Sequence, residues 1–298
     1  MTKPALSIRL VAPLIALFWF CVSMHGSRQD VIPTYRSSVR LVEVYVTVLD
    51  NRSKYVSGLT QDRFEIFDEG IRCPITDFDP VTSNFSCAML LDRTGSMLAA
   101  MPALKNATLR FIDSFRENDS FAVYAFSTSL VPLQEFTQDK NAAKQAVLRT
   151  IAHGATALYD SLSEVTARLS TRKGKKLIVV MTDGDDNSSY LTSSAVIRKA
   201  KFLGIPIYAV AQGEALSKKD LMKTLKELAR ATGASCHAVQ KGSEIEEVFQ
   251  DIAADIQHSY LIAYAPPEAN DARYRSIRVN VAGMKNLRIR AREGYYLK

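Results

Sequence analysis

The chain has 298 residues, 47% of them hydrophobic and 23% charged, with 13 Gly and 10 Pro. This composition excludes a disordered, collagen-like or disulfide-framework protein, and the length suits one or two domains with a core of normal density. The net charge of +7 is scattered. Its one tight run, Arg172, Lys173, Lys175 and Lys176, lacks aromatic interleaving, reads as solvated loop charge, and gives no expectation of nucleic-acid binding.

Lys3 and Arg9 flank the start of an apolar run, Leu10 to Val22, which small and polar residues follow. That pattern predicts a signal peptide over residues 1–26 and an exported body, periplasmic or secreted. The run is short for a bilayer span. The alternative is an uncleaved segment that anchors the protein, the one expected source of membrane contact. Beyond it lie Cys73, Cys87 and Cys236. Their odd number forbids a fully paired framework. A Cys73–Cys87 bridge and buried free thiols both remain open, the thiol being favoured for Cys87 in its apolar strand.

Residues 39–50 alternate apolar and polar side chains (Val39, Leu41, Val44, Val46, Val48), the period of a half-buried strand. Further strands are expected at Arg63 to Asp68 and Ile71 to Phe78, so the segment 30–84 reads as all-β. At Phe85 the pattern changes. Ser86 to Leu91 is a continuous apolar run, suited to a strand covered on both faces. A helix is expected over Met97 to Phe115, then strands at Ser120 to Phe126 and Leu130 to Phe136. Helices near 139–152, 157–171, 191–203, 217–232 and 243–257 then alternate with strands at Lys176 to Met181, Ile205 to Ala211 and Ser235 to Val239. Such alternation predicts an α/β fold with a doubly wound, mostly parallel sheet over residues 85–258. The last segment, 259–298, reverts to strands at Tyr260 to Tyr264, Arg275 to Val281 and Leu287 to Ala291. Neither β segment can bury a face alone. The α/β domain is therefore expected to be inserted into a small all-β domain built from both chain ends.

In a doubly wound sheet, ligands bind beyond the carboxyl ends of the strands, where the strand order reverses. The first apolar strand ends in Asp92-Arg93-Thr94-Gly95-Ser96-Met97, and the strand KLIVVM ends in Thr182-Asp183-Gly184-Asp185-Asp186-Asn187-Ser188. Between them lies Gly154-Ala155-Thr156-Ala157-Leu158-Tyr159-Asp160. Asp92 and Asp183 offer carboxylates; Thr94, Ser96 and Thr156 offer hydroxyls. Such hard oxygen donors suit Mg²⁺ or Mn²⁺, with Ca²⁺ also compatible. Taken singly, Asp92, Thr94 and Thr156 read equally well as helix caps. Asp185 and Asp186 read as solvated loop charges and Asp160 as a helix-face residue. Asp92 is expected at a strand end outside the core, so that Asp92→Ala would cost little fold.

DRTGSM resembles the DxSxS element of the metal-ion-dependent adhesion site in von Willebrand factor type A domains, with Thr94 in place of the usual serine. GATALYD and VVMTDGDDNSS resemble the second and third loops of that site, and the element order over 85–258 is similar too. The resemblance implies a metal held by Asp92, Thr94, Ser96, Thr156 and Asp183. VSGLT through RFEIFDEG, and the terminal REGYY, resemble a group of exported bacterial proteins related to this domain.

The chain lacks GxSxG, HExxH, GxxxxGK[ST] and GxGxxG motifs, and His153, His237 and His258 are isolated in sequence. His153 lies in the Thr156 loop, within reach of a partner. The expected function is metal-dependent binding of a protein or peptide carboxylate outside the cytoplasm, without catalysis. A structural or assembly subunit of a cell-envelope complex is the alternative, and a metal-dependent hydrolase comes third. The helix at 243–257 runs without a linker into the strand at 260–264. The corresponding helix can slide in related adhesion domains; here that tether predicts it will not.

Overall fold

A computed structural model describes residues 41–80, 82–268 and 273–296, so the predicted signal peptide or anchor lies outside the described residues. No described helix is long and apolar enough to cross a membrane.

The chain opens with β1 (Val42–Leu49), β2 (Phe64–Asp68), β3 (Ile71–Cys73) and β4 (Ile75–Asp79). The single strand expected over 71–78 is two, because Pro74 has no N–H to give the ladder. The α/β part then runs β5 (Phe85–Asp92), α1 (Met101–Asp113), β6 (Ser120–Phe126), β7 (Leu130–Thr137), α2 (Lys140–Leu148) and α3 (Leu158–Ser170). It continues through β8 (Lys175–Thr182), α4 (Ser193–Leu203), β9 (Ile207–Gln212), α5 (Lys219–Thr232), β10 (Cys236–Val239) and α6 (Ile245–Gln257). Last come β11 (Ser259–Tyr264), β12 (Tyr274–Val281), β13 (Arg288–Ala291) and β14 (Gly294–Tyr296). The helix expected from Met97 begins later: Gly95–Leu98 form a 3₁₀ turn, and Pro102 sits in the first turn of α1. α2 also ends early, at Leu148, and the chain beyond it runs alongside the loop after β5.

The central sheet has the order β10-β9-β8-β5-β6-β7, parallel except for the antiparallel β6–β7 pair. β5 and β8 are covered on both faces, which is why their sequences are unbroken apolar runs. One face packs on α1, α2 and α6 through residues such as Leu104, Val147 and Ile252. The other packs on α3, α4 and α5 through Leu162, Val196 and Leu225. Each such side chain contributes roughly 1.5–3 kcal/mol on burial. The order reverses between β5 and β8, so their carboxyl ends mark the switch point.

The chain ends build two antiparallel sheets, β13-β1-β11-β4 and β14-β12-β2-β3, which share a core of Val44, Val46, Ile66, Ile262 and Val279 among others. β1 pairs with β11 and β13, and β2 pairs with β12, so the α/β part is inserted into a β module made from both chain ends. β1 is buried on both faces rather than half-buried. Its second face lies against the α/β part, where Lys176 N–H donates to Tyr45 Oη at 2.7 Å.

Of the basic run at the start of β8, only Lys173 is exposed as expected; the other three are not solvated charge. Lys175 is 2% exposed, and its ammonium donates to the carbonyls of Pro80 and Ser259, where the chain enters and leaves the α/β part. Lys176 pairs with Glu43 at 2.8 Å, and Arg172 donates to Ser86 and Ser120. Arg292 donates to the Glu43 and Lys201 carbonyls, and a Cβ at Gly204 would collide with its guanidinium. On α6, Asp255 accepts from Tyr55 Oη at 2.7 Å and pairs with Arg290, while His258 stacks on Tyr55. Cys73, Cys87 and Cys236 are free thiols; Cys73 is buried in the β module and Cys87 in β5.

Within the β module, Asp68 is fully buried and accepts from Arg275 Nε (2.7 Å), Tyr264 Oη (2.9 Å) and Tyr295 Oη (2.7 Å). These groups come from both sheets. Asp68→Ala would strand the Arg275 charge and two phenols, so a loss of about 3–5 kcal/mol is expected in urea unfolding. A loss below about 1 kcal/mol would show that the cluster does not hold the two sheets together.

Candidate metal centre

β5 and β8 run parallel with Leu91 beside Met181, which carries Asp92 and Asp183 to the same end of the sheet. Asp92 is fully buried, contrary to a position outside the core. Its Oδ1 accepts from Thr94 N–H at 2.9 Å and its Oδ2 from Thr182 Oγ1 at 2.7 Å. Ser96 Oγ donates to Asp183 Oδ1 at 2.8 Å. The 3.1 Å contact between Thr94 Oγ1 and Ser96 Oγ must then use the threonine proton, since a hydroxyl has one to give.

Thr156 joins this group from the side. Its N–H donates to Asn187 Oδ1 at 2.9 Å, and its carbonyl accepts from Asn187 and Ser188 N–H, both at 3.0 Å. A Cβ on Gly184 would lie 3.4 Å from Thr156 Oγ1 and 3.8 Å from Ser96 Oγ, so the glycine leaves the space between those hydroxyls open. The structure thus brings Asp92, Thr94, Ser96, Thr156 and Asp183 together at the switch point. It also disposes of the capping alternative. Thr94 stands at the N-cap position of the 3₁₀ turn but its side chain makes no capping bond, Asp92 is the last residue of β5, and α3 begins after Ala157 with no side-chain cap.

Burial raises the Asp92 carboxyl above its ordinary range, against hydrogen bonds from Thr182 and Thr94 that lower it. Burial raises Asp183 too, opposed by Ser96 and reinforced by the charge of Asp92. Neither carboxylate has an ion-pair partner among the described residues. Two desolvated carboxylates with three hydroxyls and no neutralising side chain form a donor set that fits a hard divalent cation. Among the described residues no three His, Cys, Asp or Glu side chains cluster as a metal site, and the oxygen donors that accompany the two carboxylates here are hydroxyls.

The loops are tied to one another. Gly95 N–H donates to Gly154 O and His153 N–H to Arg93 O, joining the first loop to the second. Arg93 Nη1 donates to His153 Nε2 at 2.6 Å. Ala215 N–H donates to Asp183 O. Asp186 accepts from Tyr159 N–H, Ser189 N–H and Ser189 Oγ, and Asp160 from Tyr190 and Leu191 N–H. Asp160 stands in the first turn of α3, as expected of a helix residue, and latches the loop through its carboxylate, while Asp186 is a loop latch and not a solvated charge. Only Asp185 is exposed as expected. Thr182, Asn187, Asp160 and Asp186 were not legible as site residues, because each acts through a backbone group or carboxylate distant in sequence.

A model of the von Willebrand factor type A domain matches residues 88–253, more than half of the chain. No curated protein sequence matches it. The structure is similar to a von Willebrand factor type A protein from Catenulispora acidiphila (15% identity, 88% of this chain and 74% of that one, TM-score 0.52). It is also similar to proximal thread matrix protein 1 from the mussel byssus, solved with a zinc-occupied MIDAS motif (18% identity, 63% of this chain and 49% of that one, TM-score 0.52). At these identities the similarity concerns the fold.

Asp160→Ala should free the loop that carries Tyr190. The amides of Tyr190 and Leu191 should exchange on the order of tenfold faster, with global stability nearly unchanged. Unchanged exchange at both would mean the latch is not what orders the loop.

Proposed function

Because the chain belongs to the von Willebrand factor type A family, we propose that it is a divalent-metal-dependent binding module for a protein or peptide carboxylate. The observation that carries this reading is the convergence of two buried, cation-less carboxylates and three hydroxyls at the switch point. Asp92, Thr94, Ser96, Thr156 and Asp183 would hold Mg²⁺ or Mn²⁺, directly or through water, and Ca²⁺ is compatible. The bound ion would offer a coordination position to an anionic oxygen of the partner. Domain limits of 30–84, 85–258 and 259–298, and action outside the cytoplasm, belong to the same proposal. Lys3, Arg9 and the apolar run after them support the location.

Binding is favoured over catalysis by what surrounds the donors. Ser96 gives its proton to Asp183, and His153 is engaged by Arg93, so no serine–imidazole pair forms there. Leu98, Ile151 and Tyr190, one beside each site loop, are exposed, Tyr190 by 99%. Exposed apolar and aromatic side chains on the segments that flank the site loops suit a partner interface. The site loops would position the partner; the carboxylates would set the charge.

Since Asp92 is buried and hydrogen-bonded, Asp92→Asn is a better test than Asp92→Ala, which would strand Thr182 and Thr94. Calorimetry with Mg²⁺ or Mn²⁺ should show wild-type binding that the variant loses by at least about tenfold. The wild type alone should melt higher with metal. Equal affinity in both proteins would remove Asp92 from the ligand set, and partner capture that survives chelation would favour the assembly-subunit alternative.

α6 continues into β11 through His258 alone, and β11 is paired on both edges. The site should therefore bind without moving this helix. Structures with and without a carboxylate at the metal check this; a displacement of about one turn, roughly 5.4 Å, would overturn it.

A further inference from the structure

β10 is an edge strand of the central sheet. Ala209 N–H donates to the Ser235 carbonyl, which fixes the ladder phase. In a parallel pair, alternate residues face the neighbour. Ser235, His237 and Val239 thus turn their backbone groups to β9, and Cys236 and Ala238 turn theirs outward. Cys236 packs with the core under α5, whereas Val239 packs with the core under α6, so Cys236 and Ala238 share the α5 side.

α5 places Leu221, Leu225 and Leu228 in that core. Its exposed flank carries Lys219, Lys223, Lys226 and Arg230, which line a groove of about 730 Å³ beside Ala238. Leu216 and Met222 supply apolar surface there. Arg230 is paired with Glu293, and Glu227, also in the groove, is 3.5 Å from Lys201. Lys219, Lys223 and Lys226 make no ion pair or hydrogen bond among the described residues. Lys226 lies near enough to β10 for its charge to oppose the burial that pushes the Cys236 thiol up to about 11.

An edge with outward N–H and C=O groups accepts another strand. The flanking ammonium groups, on a chain of net charge +7, repel a second copy and attract an acidic chain. The spacing also fits. Alternate side chains of a strand repeat every ~6.6 Å, close to the ~6 Å rise from Lys219 to Lys223, and the ~2 Å by which the ~4.5 Å rise to Lys226 falls short is within the reach of a lysine side chain.

We propose that the groove between α5 and β10 binds an extended acidic polypeptide segment, which adds as a strand beside β10 and sets its carboxylates against Lys219, Lys223 and Lys226. The groove shares no residue with the Asp92 site, so it stands or falls separately from metal binding.

The test is fluorescence anisotropy of a fluorescein-labelled peptide alternating Glu and Thr, titrated with the full chain in EDTA. Saturable binding is expected, equal with Asp92→Asn, and weakened at least about tenfold by Lys219→Glu, Lys223→Glu and Lys226→Glu together. Ala238→Pro, which removes an outward N–H but no bond to β9, should weaken it similarly. A peptide N-methylated at alternate residues keeps its charge, loses its strand donors and leaves the protein untouched, so it should also bind at least about tenfold more weakly. The proposal is overturned if the N-methylated and parent peptides bind equally, which would mean adsorption to lysines alone. It is equally overturned if the parent peptide does not bind, or if one alternating Lys and Thr binds as well.

Discussion

The ammonium of Lys175 donates to two carbonyls 179 positions apart in the chain, Pro80 at the entry to the α/β part and Ser259 at its exit. Burial pushes this group down to about 8, so the fold holds a cation where water would hold it better. What offsets that cost is the pair of carbonyl acceptors, each charged hydrogen bond contributing on the order of 1.5–3 kcal/mol. Lys175 is also the first residue of β8, the strand that ends at Thr182 and Asp183. The clamp therefore fixes the amino end of the strand whose carboxyl end presents the candidate centre. Lys176 and Arg292 extend the same junction through Glu43 and Lys201.

At the other end of β5 and β8 the electrostatic problem is reversed. Asp92 and Asp183 are withdrawn from water, and both carboxyls are raised. Hydroxyl and amide donors from Thr182, Thr94 and Ser96 hold their orientation but cannot cancel their charge. The arrangement keeps a negative centre oriented in advance, with its rotamers already set, so that little ordering remains when a counter-charge arrives.

Much of this was readable from local pattern. Apolar runs announced β5 and β8, alternation announced β1 and β12, and the residues after β5 and β8 brought forward Asp92, Thr94, Ser96 and Asp183, while Thr156 came from the loop before α3 and the resemblance joined the five into one set. What escaped depended on contacts between distant segments. In a run of four basic residues, Lys175 and Lys176 look solvated until Tyr45, Glu43 and two carbonyls arrive from the β module. Asp160 and Asp186 look like surface charge because the amides they latch lie up to 31 positions away. β14 is three residues long and carries no period. Pro74 was visible, but its effect is to break a ladder that exists only after β2 and β11 are in place.

The insertion has a mechanical consequence. The chain enters and leaves the α/β part at two points held by one ammonium, while β1, β11 and β13 are hydrogen-bonded side by side. Tension applied through residues 41 and 296 is carried across the antiparallel ladders of the β module, and the inserted sheet lies off the load path. Strain then reaches the loops around Asp92 only after the β module has begun to give way, so the centre keeps its geometry under pull for as long as its frame survives.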